Sequence, residues 1–140
     1  MSVTYIPADL RRFVIARADN KCEYCRLAEA TVFYGCEIDH IISEKHGGTT
    51  IAANLAYACF ACNRNKGSDV ATLDPTTGAF VGFFNPRADA WGTHFAFSPV
   101  DGVTFEPRTA IGEATIRIFA INDADRVFER QILHGSGRYP

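Results

Sequence analysis

The sequence predicts one α+β domain: a strand, loop, strand and short helix tied together by a metal, with a helix before them and a mixed hairpin and helix extension after them. Three observations carry this. Two Cys-x-x-Cys knuckles, Cys22/Cys25 and Cys59/Cys62, stand well apart in the chain, and four soft thiolates at that spacing close the tetrahedral sphere of one structural Zn2+. Around the second half of that span, Cys36 to Ile41 and Leu55 to Ala58 are short, β-branched or apolar runs of the kind that form strands. The flanking stretches, from Pro7 to Asn20 and from Thr109 to Leu133, repeat their apolar residues at helical spacing.

The elements follow in order. Pro7 suits a first helical turn, Leu10, Phe13 and Val14 share a helical stripe, and Asn20 is the stop. Arg11, Arg12 and Arg17 lie opposite that stripe, where a row of charge is ordinarily the solvated face. Cys22-Glu-Tyr-Cys25 is a tight knuckle, and Arg26 to Tyr34 is an irregular excursion closed by Gly35. The first strand then ends near His40 or Ile41. Lys45-His-Gly-Gly-Thr49 forms a turn, the second strand leads into Cys59, and a helix opening at Cys62 stops at Gly67 or soon after. Cys36, the fifth cysteine, is expected in the core rather than as a further ligand.

After Gly67 the pattern changes. Leu73 to Phe80 reads as a turn between extended pieces, and Asp101-Gly102 as the turn of a hairpin joining Phe95-Ala-Phe97 to Val103-Thr-Phe105. The segment from Thr109 to Phe119 fits either state, and helix with Thr109 as its cap is preferred. A last helix runs through Leu133, with Val127, Phe128, Ile132 and Leu133 expected inward and Gly135 stopping it. The whole chain, 1–140, is expected as one domain, a core at about 20–70 and a cover over it at about 71–140.

Composition narrows the function classes. With 140 residues and eleven Phe the chain can bury a real core. Charges at Asp9, Arg11, Arg12 and Arg17 break any secretory leader, and no apolar run approaches a membrane span, so a cytoplasmic protein with reduced thiols is expected and no membrane partner. A formal charge of −2 and a pI near 6.0 argue against an avid general nucleic-acid binder. Any attraction for a polyanion must be local and salt-dependent.

Inside the span set by the knuckles lie Asp39-His40, Asn54 and, directly after Cys62, Asn63. With the cysteine frame, this constellation from about Cys22 to Gly67 resembles the HNH nuclease family, whose site is a ββα-metal (His-Me) finger. The resemblance implies that His40 is the general base on the water attacking a phosphodiester, a task suited to an imidazole. It implies that Asp39 and Asn63 hold a catalytic cation, and that Asn54 braces the loop between the strands so that His40 is oriented. Asn63 stands where the family's name has a histidine. Its hard amide oxygen, with the Asp39 carboxylate, favours Mg2+ or Mn2+. Because successive strand residues point to opposite faces, Asp39 and His40 share a site only if the strand bulges or ends there. Lys66, Arg64, Lys45 and His46 are the candidate phosphate contacts. DNA is the expected substrate. RNA, and a non-catalytic zinc-stapled binding module, are the alternatives, for no stacking platform or groove-reading helix can be identified. Oligomeric state is not legible.

Overall fold

The computed structural model describes residues 4–140, and its contacts divide into two compact units that meet in sequence between Val70 and Ala71. In the first unit, helix α1 (Ala8–Arg17) is preceded by Pro7, whose fixed φ and missing N–H are both tolerated at a helix start. The helix ends because Asp19 and Asn20 both turn to positive φ. Only Val14 of its apolar stripe is fully buried, packing on Leu55 and Tyr57, while Phe13 lies exposed under the Arg17 guanidinium.

Strands β1 (Cys36–His40) and β2 (Leu55–Cys59) form an antiparallel pair in register from Cys36↔Cys59 to His40↔Leu55. Every residue of β2 is buried. Helix α2 (Phe60–Lys66) starts two residues earlier than its sequence suggests, because the Cys59 thiol serves as its N-cap and accepts from the Cys62 N–H. Gly67, at positive φ, ends it. The order strand, loop, strand, helix is therefore the expected one.

The second unit is built from two more antiparallel pairs and three helices. Strands β3 (Ala71–Leu73) and β4 (Phe80–Gly82) pair across the Asp74 to Ala79 turn. Helix α3 (Trp91–His94) runs into β5 (Phe95–Phe97), which pairs with β6 (Phe105–Pro107). The hairpin is there, but its second strand begins two residues late, since Asp101 gathers the N–H groups of Val103 and Thr104 onto its carboxylate. The Thr104 hydroxyl, which donates to the same carboxylate at 2.6 Å, and then those two N–H bonds hold the Asp101 carboxyl well below the usual carboxylate range. Helix α4 (Ala110–Ile118) has Thr109 as its cap, its hydroxyl accepting from Gly112 N–H at 3.1 Å. His94 is packed, not exposed, with Nδ1 2.6 Å from the same hydroxyl.

Helix α5 (Ala124–Gly135) corrects one expectation. Phe128 and Ile132, expected inward, are 63 % and 59 % exposed, and the buried positions are Arg130 and Leu133. Arg130 goes inward because its guanidinium donates to the carbonyls of Val103 and Ile121 and to Asn122, and lies over the Phe105 ring. A charge so satisfied can be buried. Among the described residues no helix is long and apolar enough to cross a membrane.

Candidate active site and metal centre

The Sγ atoms of Cys22, Cys25, Cys59 and Cys62 lie within 4.8 Å of one another, all four residues buried. Cys25 Sγ and Cys59 Sγ are 3.6 Å apart. Four sulfurs around one Zn2+, each at about 2.3 Å, would stand about 3.8 Å apart, so the cluster fits that ion. Two knuckles make it, each with its second cysteine's N–H directed at the first one's sulfur, at 3.4 Å in both. Burial first, and the neighbouring thiols second, push the Cys22 thiol well above its ordinary value, and burial does the same at Cys62. Such a pocket is hostile to bare thiolates and calls for a cation. Cys36 is half-buried and stands outside the cluster, its thiol pushed up to about 12 chiefly by burial.

A cleft of about 970 Å3 opens along β1. Glu37, Asp39, His40, Lys45, Phe60, Asn63 and Arg64 all contribute to its wall. The β1 ladder runs unbroken to His40, the last residue of the strand. Asp39 and His40 both line the cleft, with no bulge in the strand that carries them.

Asp39 and His40 are both almost wholly buried. Asp39 receives the Tyr24 hydroxyl at 3.3 Å and the Lys66 ammonium at 3.2 Å on Oδ1 and 3.1 Å on Oδ2. Burial raises its carboxyl above the ordinary range, and Lys66, Tyr24 and His40 each pull it partly back. Tyr24, itself driven well up by burial, stays a phenol and donates. Lys66 also donates to the His40 carbonyl at 2.9 Å and is only 2 % exposed. Lys66 does share a helix face with Cys62, but that face is the inward one, so its charge meets Asp39 instead of solvent.

His40 Nε2 is 2.9 Å from Thr50 Oγ1 and 3.4 Å from Glu44 Oε1, and the Thr50 hydroxyl in turn reaches Glu44 Oε1 at 3.4 Å. Asn54 closes the loop that carries these groups. Its Oδ1 accepts from Ile42 N–H, and its Nδ2 donates to the carbonyls of Ile42 and Thr49, each at 2.9 Å. Gly48 is required in the same closure, because a Cβ there would stand 1.7 Å from the Ile42 carbonyl oxygen.

Asn63 donates through Nδ2 to Glu37 Oε2 at 2.8 Å, which turns its Oδ1 away from that contact. Glu37 had no part in the sequence reading, although the two-residue period of a strand puts it on the same face as Asp39. Thr50 was likewise missed, and nothing in the local pattern marks it. Glu37, Asp39 and Asn63 together give one wall of the cleft hard oxygen donors, the chemistry that suits a small divalent cation. Lys45 and Arg64 bring positive charge to the same cleft, with exposed His46 next to Lys45 in a turn ended by Gly47.

The HNH endonuclease family model matches residues 22–69, about a third of the chain and the stretch that contains both the thiol cluster and the cleft just described. No curated protein and no solved structure matches the chain. The match supports a nuclease-type function for this stretch.

Proposed function

We propose, from the match of residues 22–69 to HNH endonucleases, that this protein is a metal-dependent endonuclease that hydrolyses DNA phosphodiester bonds with His40 as general base. The observation that carries the reading is the meeting of His40, Asp39 and Asn63 in one cleft at the end of β1. The Thr50 hydroxyl donates to Glu44 Oε1, which suits it to accept from His40 in the tautomer protonated at Nε2. In that tautomer the lone pair is on Nδ1, the atom we assign to take the proton from water. Asn54 holds the loop that carries Thr50 and Glu44, and so orients the base without touching substrate.

Asp39 and Asn63 would hold Mg2+ or Mn2+, with Glu37 setting the Asn63 amide so that its oxygen serves as the ligand. When bound, the ion supplies charge neutralisation at the scissile phosphate and at the departing 3′ oxygen. Zn2+ on the four cysteines is structural. Arg64, Lys45 and His46 are the phosphate contacts at the surface, whereas Lys66 acts from inside by compensating Asp39. Four cysteines kept as zinc ligands need a reducing compartment, so the cytoplasm is the proposed location.

The test is nicking of supercoiled plasmid by wild type and His40→Ala, with Mg2+ or Mn2+ and with EDTA. Cleavage is expected only from wild type with the cation. Zinc-loaded protein that shifts DNA on a gel yet never cuts it would establish the binding-module reading instead, and cleavage confined to RNA would change the substrate.

A further inference from the structure

Beyond the catalytic wall, the cleft has an aromatic rim that the reaction does not use. Phe60, the first residue of α2, lines the cleft and lies half-buried. Tyr34 stacks on it with ring centroids 4.7 Å apart and planes inclined by 36°. Phe33 meets Tyr34 edge to face at 4.9 Å, and the Arg64 guanidinium sits over the Phe60 ring, 5.8 Å from its centroid. This run of four groups continues directly from the cleft wall to open solvent.

Its outer members are exposed to a degree that core packing does not explain: Phe33 is 91 % and Tyr34 68 % solvent-accessible. Leaving two large rings in water forgoes the gain of burying them. The chain also fixes their place firmly. Gly35 at positive φ turns the backbone immediately after Tyr34, and its carbonyl accepts from the Phe60 N–H at 3.2 Å, so the excursion is pinned to the start of α2.

Resting on the nuclease reading of the cleft, we propose that Phe33, Tyr34, Phe60 and Arg64 form a stacking platform for unpaired bases of the DNA substrate. The site therefore selects single-stranded, frayed or flapped DNA over a continuous duplex. Flat rings and a planar guanidinium offer π-faces that every base can meet, and the bases of an intact duplex are already stacked on one another. Stacking also answers the charge problem. A chain with a formal charge of −2 holds a polyanion poorly by electrostatics alone, whereas ring contacts with bases do not depend on net charge. Arg64 serves both purposes, its charge toward the backbone phosphates and its plane toward the ring stack.

Equilibrium binding in EDTA tests the platform apart from catalysis. The probe is a short single-stranded DNA oligonucleotide containing 2-aminopurine, compared with its fully paired duplex. Wild type is expected to bind the single strand more tightly and to quench its emission, because the fluorophore stacks. Tyr34→Leu should weaken single-strand binding on the order of tenfold and abolish the quench, with Tyr34→Phe restoring both. Phe33→Leu, at a position too exposed to carry the fold, serves as the second variant and should weaken binding in the same direction. Equal affinity of wild type and Tyr34→Leu for the single strand overturns the proposal, as does preference for duplex. Loss of self-association in Phe33→Leu with unchanged DNA binding overturns it too, by making the patch a contact between copies. If the platform binds and quenches as expected but no cation ever yields cleavage, the nuclease reading fails and the platform stands.

Discussion

Asp39 and Lys66 form a buried pair whose two charges depend on each other. Burial raises the Asp39 carboxyl, so the folded protein holds that proton more tightly than the unfolded chain, whose carboxylate titrates near 3.9. Stability from this group is then fully present below the unfolded value and is lost as pH rises through the raised folded value. Lys66 limits the loss by pulling Asp39 back down. Lys66→Met should therefore destabilise by about 3–5 kcal/mol near pH 8, where it strands a buried carboxylate. The gap from wild type should narrow as pH falls and Asp39 takes a proton. Thermal melts at pH 8 and pH 5 check this, and a gap indifferent to pH would mean that Lys66 does not compensate Asp39. Asn54 acts on a different quantity. Asn54→Ala removes three bonds that close the Ile42 to Thr49 loop, so the base is misplaced and kcat should fall on the order of a hundredfold. The half-saturating Mg2+ concentration should stay near the wild-type value, since Asp39 and Asn63 are untouched. A titration of cleavage rate against Mg2+ separates the two effects.

Helix α4 shows where a local rule and a tertiary contact collide. Replacing glycine by alanine inside a helix ordinarily stabilises by about 1 kcal/mol. At Gly112 the added Cβ would lie 2.1 Å from the His94 carbonyl oxygen, a backbone atom that cannot swing aside. The clash should win, and Gly112→Ala should destabilise by about 1–3 kcal/mol and lower the melting temperature; a rise in that temperature would show that the helix can shift. The Thr109 cap beside it was legible in the sequence, as were both strands of the core and the helix after the second knuckle, because each rests on residues within a few positions of one another. The buried face of α5 was not legible. A pattern of apolar and polar letters assigns Phe128 and Ile132 to the inside and Arg130 to the outside, and has no way to register three acceptors waiting for a guanidinium. The same bias sent Lys66 to the surface, since charged residues are rarely buried unless paired. Glu37 was within reach through strand alternation from Asp39, whereas Thr50 meets His40 only once the loop between the strands has closed.

At the scale of the molecule, the open question is what makes residues 22–66 cohere. Outside the thiol cluster, the buried apolar side chains of this unit include Leu55 and Tyr57 packed with Val14, and Tyr24, Leu27 and Ile41. A core of that size is marginal by itself. Zn2+ on the four cysteines would supply the missing stability, and metal binding that needs a folded site adds its free energy to folding. The pH dependence has a definite sign. Burial drives the Cys22 and Cys62 thiols well up, so without metal they keep their protons, and zinc must displace those protons to bind. The zinc-bound folded state thus carries fewer protons than the unfolded chain below the ordinary thiol range, and its stability falls as pH falls. One zinc per chain is expected by elemental analysis. A strong chelator should strip it far faster at pH 5.5 than at pH 8, and amide hydrogen exchange should then accelerate throughout β1, β2 and α2. Trp91, the single tryptophan, packs against Phe95, Phe97 and Phe105 within the 71–140 unit, where no thiol lies. Its emission should stay unshifted while the first unit loses protection. If β2 kept slow exchange after complete removal of zinc, packing of Leu55 and Tyr57 would be sufficient and the metal would be a reinforcement, not the staple.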